Sequence, residues 1–136
     1  MQIRKYKPSD YQIMMKLFRN TILQVNAKDY TEVQLKAWID NVDEEKLKQS
    51  FLEQETYVVI FEDVLVGFGN IDKNGYLDML YVHEAYQQKG IATLLCDTLE
   101  NIIFEGSITT HASITARPFF EKREYKVIKK TRSEKK

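Results

Sequence analysis

Apolar positions recur along this chain at two periods, and the change of period marks its elements. Residues 2–6 read as a short strand. Ser9, with Gln12 as a capping-box partner three residues on, opens a helix whose stripe is Met14, Leu17, Phe18 and Ile22. Residues 26–30 form a loop. Thr31 and Gln34 repeat the capping signature before a second helix that buries Leu35, Trp38 and Ile39. Asp43 caps a further short helix ending near Phe51.

After that the pattern turns β-branched and aromatic. Strands are predicted over 56–61, 64–72 and 76–82, with Glu62-Asp63 as the first turn. Asn74-Gly75 is the stronger hairpin signal, of the kind that takes φ > 0 at both positions. Gly67 and Gly69 inside a strand point to a bulge or a close backbone approach. Strict alternation puts Asp78, Leu80 and Val82 on one face, and Leu77, Met79 and Tyr81 on the other.

A helix over 90–104 carries Ile91, Leu94, Leu95, Leu99, Ile102 and Ile103, and Gly106 stops it. A strand at 108–112, a helix at 116–123 with Pro118 in its first turn, and a strand at 125–130 complete the order. The fold class is mixed α/β: a mostly antiparallel central sheet with helices on both faces. The fourth and fifth strands are candidates for a parallel pair, because a helix connects them.

Between strand and helix lies Gln87-Gln88-Lys89-Gly90-Ile91-Ala92. A strand that feeds a glycine turn into a helix N-terminus leaves backbone N–H groups unpaired, a ready site for phosphate. The 136 residues suit one domain over 1–130 with a polar tail at 131–136. Twenty basic and twenty acidic residues cancel, so neither a nucleic acid nor a strongly basic partner is indicated. A lone cysteine, Cys96, forms no internal disulfide, and no apolar run has the length of a membrane span. A cytoplasmic protein without metal is expected.

Two stretches together resemble the GCN5-related N-acetyltransferases, which move acetyl from acetyl-coenzyme A to an amine. Gln87-x-x-Gly90-x-Ala92 resembles that family's Arg/Gln-x-x-Gly-x-Gly/Ala, and Ala116-x-x-Phe119-Phe120-Glu121-Lys122 its Ala-x-x-Phe-Tyr-Glu-Lys. The resemblance implies that the fourth and fifth strands splay apart. It also implies that Gln87, Gln88, Lys89, Gly90, Ile91 and Ala92 form the pyrophosphate turn, with the backbone of 88–92 as the cradle. Leu80, Tyr81 and Val82 would run beside the pantetheine, with a backbone N–H near Leu80 or Tyr81 on the thioester oxygen. Ser113 stands where the family often has an Asn that bonds pantetheine, and Phe119 would line the channel.

Two departures matter. Phe120 occupies the position of the family's usual acidic Tyr, which leaves Tyr81 and Tyr125 as replacement proton donors. The family's final strand also looks missing, so the strand at 125–130 pairs directly with the fifth or a partner chain fills the gap in a homodimer. Asp78 and His83 are candidates for base or amine anchor, since direct attack needs a neutral amine. Core packing or a pocket wall are both open for Trp38 and Tyr30. The expected activity is acetyl transfer from acetyl-coenzyme A to a primary amine of a small molecule or peptide. The alternative is a non-catalytic acyl-coenzyme A-binding module.

Overall fold

The computed structural model describes residues 1–102 and 106–126. Strand β1 (Gln2–Lys5) is followed by helices α1 (Tyr11–Gln24), α2 (Glu32–Asp40) and α3 (Glu44–Glu53). Strands β2 (Glu55–Phe61), β3 (Val64–Ile71) and β4 (Tyr76–Val82) form a meander, then come α4 (Ile91–Glu100), β5 (Thr109–Thr110) and α5 (Arg117–Lys122). The strands make one sheet in the order β1-β2-β3-β4-β5. All neighbours are antiparallel except β4 and β5, which run parallel.

Helix starts follow their caps. The Thr31 hydroxyl accepts from Gln34 N–H while the Gln34 side chain accepts from Thr31 N–H, at 3.1 and 2.8 Å, so the predicted capping box is present. Asp43 caps α3 through Lys46 N–H. The first helix differs: a 3-10 turn over Pro8–Asp10 precedes it, and Asp10, not Ser9, stands at the N-cap position, with no side-chain bond to the helix. Asp10 accepts from Lys7 N–H at 2.8 Å and holds Arg4 through both carboxylate oxygens at 2.9 and 3.0 Å.

The two hairpins exchange their expected turn chemistry. Glu62 and Asp63 both have positive φ, 50° and 65°, the type I′ pattern. At Asn74-Gly75 only Gly75 is left-handed, because the Asp72 carboxylate accepts from the N–H groups of Asn74 and Tyr76 and sets a different turn. Helix α4 ends at Glu100, with Asn101 as C-cap, earlier than its apolar pattern suggests. Ile103, most of the strand expected over 125–130, and the tail lie outside the described residues.

The faces of β4 depart from strict alternation. Asn70 pairs with Met79 and Ile71 with Leu77, so Asp78 is the extra residue of a bulge, and the Asn70 side-chain oxygen accepts from Met79 N–H at 2.9 Å. Leu77 therefore packs with Leu80, Cys96, Leu99 and Phe120 on the α4 side, while Met79 and Tyr81 pack with Phe18, Phe51 and Phe68 under α1–α3. The predicted grouping of Leu77 with Met79 and Tyr81 fails because one inserted residue inverts every position before it.

Helix α4 approaches the sheet closely at Gly67 and Gly69. A Cβ on Gly67 would meet Ile91 Cγ2 at 2.8 Å, and one on Gly69 would meet Met79 O at 3.0 Å. The close approach predicted from these glycines is real, and it seats the helix whose N-terminus forms the site.

Candidate active site

Strand β5 pairs with β4 only at Tyr76 and Leu77, while β4 runs on to Val82 paired with β3 on its other side. Two parallel strands that part in this way leave one edge of β4 with no strand partner among the described residues, beside a cleft. The cleft has a volume of about 560 Å³, within the range of small-molecule sites. Its walls include Leu80, Tyr81 and Val82 of β4, the Gln87–Gln88 and Gly90–Thr93 backbone, and Ser113 and Phe119 across from them. Lys89 is exposed in the same turn but is not part of the wall.

Backbone direction decides which groups the edge offers. Tyr81 pairs with Phe68 of β3, and two residues on His83 N–H donates to Val66 O at 2.8 Å. By strand alternation the N–H and C=O groups of Leu80 and Val82 then point to the cleft. Val82 O is already taken, by the Gln87 side-chain amide at 2.6 Å and the Thr21 hydroxyl at 3.3 Å. The edge left for a strand-like ligand is Leu80 N–H, Leu80 C=O and Val82 N–H. Tyr81 N–H is turned away, so of the two N–H groups considered Leu80's is the one that faces the cleft.

The turn after β4 holds two left-handed residues, Gln88 and Gly90, at φ 60° and 84°. Gly90 is the N-cap of α4, and no side chain caps the helix. The first N–H groups of α4 have no carbonyl within the helix and face outward with the positive end of its dipole. A Cβ on Gly90 would meet nothing within 4 Å, so the glycine serves the positive φ and the space in front of the turn.

The other site residues have distinct surroundings. His83 lies off the cleft wall; its Nδ1 accepts from Ala85 N–H at 3.0 Å and its ring packs on Tyr86. It caps a 3-10 turn over Glu84–Tyr86. Tyr125 donates its hydroxyl to Glu100 at 2.7 Å and is absent from the wall, whereas Tyr81 lines the cleft. Burial pushes the Tyr81 phenol far up, and an indole N–H from Trp38 offsets this in part. Ser113 accepts from Ala116 N–H at 3.1 Å, and Phe120 is buried against Tyr125. Burial pushes the Cys96 thiol up to about 12, as befits a core thiol.

Asp78 is exposed at its bulge, yet neighbouring protein desolvates its carboxyl enough to raise its pKa; Asp72 adds to this and Gln54 opposes it. It lies where the cleft meets a second depression, the two sharing Trp38, Asp78, Met79 and Tyr81. Asn26 and Lys28 also line the cleft, although no motif marks them. Long-range bonds hold that segment in place: Thr115 donates to Asp29, and Ile114 N–H to the Tyr30 hydroxyl, both at 2.8 Å.

The acetyltransferase (GNAT) domain model matches residues 26–136. The chain belongs to the acetyltransferase (GNAT) domain family. It is 34% identical over 133 residues to the uncharacterized N-acetyltransferase YafP of Escherichia coli (strain K12), covering 98% of this chain and 86% of that one. The GCN5-related N-acetyltransferase (aminotransferase, class-II) structure from Rhodopseudomonas palustris superposes with a TM-score of 0.83 at 34% identity, over 90% of this chain and 79% of that chain. The PaiA N-acetyltransferase of Thermoplasma acidophilum, in complex with coenzyme A, shares the fold at a TM-score of 0.78 and 20% identity, over 97% and 92%. The GNAT chain is thus by class an acetyl-coenzyme A-dependent N-acetyltransferase. Among its described residues no helix is long and apolar enough to cross a membrane.

Proposed function

We propose that this GNAT chain transfers acetyl from acetyl-coenzyme A to a primary amine by direct attack, with the donor laid along the free edge of β4. The observation that carries this reading is the parting of β4 from β5 beside an uncapped, left-handed turn. A free strand edge and an uncapped helix N-terminus then share one cleft, which suits an extended amide chain ending in a pyrophosphate. Complexes of coenzyme A with PaiA and of acetyl-coenzyme A with yncA from Salmonella typhimurium, both relatives in fold, are consistent with such a donor.

In this scheme the N–H groups of 88–92 hold the pyrophosphate. Leu80 and Val82 pair with the pantetheine amides, and Ser113 and Phe119 close the far wall. Leu80 N–H donates to the thioester carbonyl oxygen and stabilises the oxyanion. Asp78 holds the amine and takes its proton as the nitrogen lone pair attacks the carbonyl carbon. The intermediate collapses as the C–S bond breaks, and the thiolate leaves with the electron pair. Tyr81, a neutral phenol on the cleft wall, supplies the proton to sulfur, the role that Phe120 cannot fill.

The test is thiol release from acetyl-coenzyme A with a panel of amines. Amine-dependent release is expected. Binding of acetyl-coenzyme A with no turnover on any amine would identify a non-catalytic binding module instead.

A further inference from the structure

The far wall of the donor cleft has little backbone support. Strand β5 pairs with β4 at Thr109 and Thr110 alone, and the chain then runs through Ser113 to α5. The Thr110 hydroxyl anchors one end by donating to Leu77 O at 2.8 Å. At the other end Arg123 donates to Asp97 and Glu100 of α4, and Phe120 is buried. Between these anchors the bonds of Ser113 are local, its Oγ accepting from Ala116 N–H and its carbonyl from Arg117 N–H.

Among the described residues, the hydrogen bonds that tie 111–116 to another segment are those to Asp29 and Tyr30. Ile114 N–H donates to the Tyr30 hydroxyl and the Thr115 hydroxyl to the Asp29 carboxylate, each at 2.8 Å. The Tyr30 ring is braced edge-on against Trp38 of α2, with ring centroids 5.3 Å apart. The segment that supplies this clasp is fixed to β4 in turn, since Thr21 at its α1 end donates to Val82 O at 3.3 Å. A circuit results: the β4 edge, the end of α1, residues 26–30, the clasp, residues 113–116, and back through Thr110 to Leu77. Asn26 and Lys28 line the cleft on one side of the clasp, and Ser113 and Thr115 on the other. The clasp bonds lie at partly exposed groups outside the packed core, so opening them is a local event.

Resting on the acetyl-donor reading, we propose that Asp29 and Tyr30 are positioning residues for the donor: through Thr115 and Ile114 N–H they hold the wall that carries Ser113 and Phe119 against the pantetheine, and so set how long the acyl donor stays bound. A wall already in place need not be ordered when the donor arrives, and that ordering cost otherwise weakens binding. The difference falls mainly on the rate of dissociation. The β4 edge at Leu80 is outside the clasp, so the chemical step on a bound donor proceeds without it.

Stopped-flow dissociation of acetyl-coenzyme A from the whole chain tests this. Tyr30→Phe keeps the ring on Trp38 and loses the bond to Ile114; Thr115→Val loses the bond to Asp29. The variant carrying both should release the donor about fivefold faster or more, with a thermal midpoint within a few degrees of the parent. In turnover, KM for acetyl-coenzyme A should rise while kcat stays within about twofold. Thr115→Ser, which keeps the hydroxyl, should release the donor at the parent's rate, whereas Thr115→Val alone should be faster; this pair decides even where the double variant folds poorly. An unchanged release rate in the folded double variant, a fall in kcat as large as the rise in KM, or equal rates for Thr115→Ser and Thr115→Val overturns the proposal. Failure of the parent to bind acetyl-coenzyme A overturns the donor reading itself, and is told apart because it appears before any substitution is made.

Discussion

The side-chain amide of Gln87 donates to the backbone carbonyl of Val82 at 2.6 Å, and so ties the anion turn to the last residue of β4. One bond thereby fixes two parts of the donor site relative to each other. It also occupies the carbonyl at which a ligand's added strand would otherwise continue. In this way Gln87, the first residue of the turn motif, acts on the scaffold through its side chain.

Gln87→Ala should weaken acetyl-coenzyme A binding about 3- to 10-fold, the equivalent of one hydrogen bond of about 0.5–1.5 kcal/mol. Calorimetry reads the change, and a thermal midpoint within a few degrees of the parent shows that the fold persists. Unchanged affinity would mean that the turn holds its shape without this brace.

Asp10 gives a pH prediction away from the site. Burial alone would raise its pKa, but the bonds from Arg4 and Lys7 N–H outweigh that and bring it below its ordinary value of 3.8. A depressed carboxylate stabilises the fold above its unfolded pKa and loses that contribution as pH falls through the folded value. Asp10→Asn should therefore cost about 1–3 kcal/mol near neutrality, and the gap from the parent should narrow as pH drops below about 4. Urea melts at several pH values measure this. A gap that stays constant down to strong acid contradicts the ion-pair account.

The two tyrosines should separate by kind of effect. Tyr81→Phe should lower kcat about 100-fold, with little change in KM for acetyl-coenzyme A, because it removes the proposed proton donor. Tyr125→Phe should leave kcat alone and cost stability, since its hydroxyl is bonded to Glu100. Steady-state kinetics and thermal melts on both variants decide. Equal kcat in Tyr81→Phe and the parent would remove Tyr81 from the chemistry.

The backbone of the proposed donor half was legible in the sequence because it is written locally. The strand–turn–helix of 76–100 carries its own periodicity, its glycine and its motif, and the Thr31–Gln34 box caps as its spacing says. What was not legible depends on contacts between distant segments. The Asp78 bulge arises from Asn70 on the neighbouring strand, and it reassigns the face of Leu77. Asn26 and Lys28 reach the cleft because Asp29 and Tyr30 bond to residues 114 and 115. His83 looked like a base by residue type, yet its Nδ1 is bonded to the next turn. The Asn74-Gly75 hairpin forms, but Asp72, two residues before Asn74, sets a turn conformation that the dipeptide alone does not specify.

The central claim is that the turn at Gly90 grips the pyrophosphate of the acyl donor. Calorimetry with acetyl-coenzyme A on the parent and on Gly90→Asp tests it most directly. The open space around Gly90 lets the variant fold, at a cost of roughly 1 kcal/mol for the left-handed φ. The parent should bind, and Gly90→Asp should lose at least 100-fold in affinity, because a carboxylate would stand where the phosphates must lie. Equal binding by a folded Gly90→Asp would contradict the account.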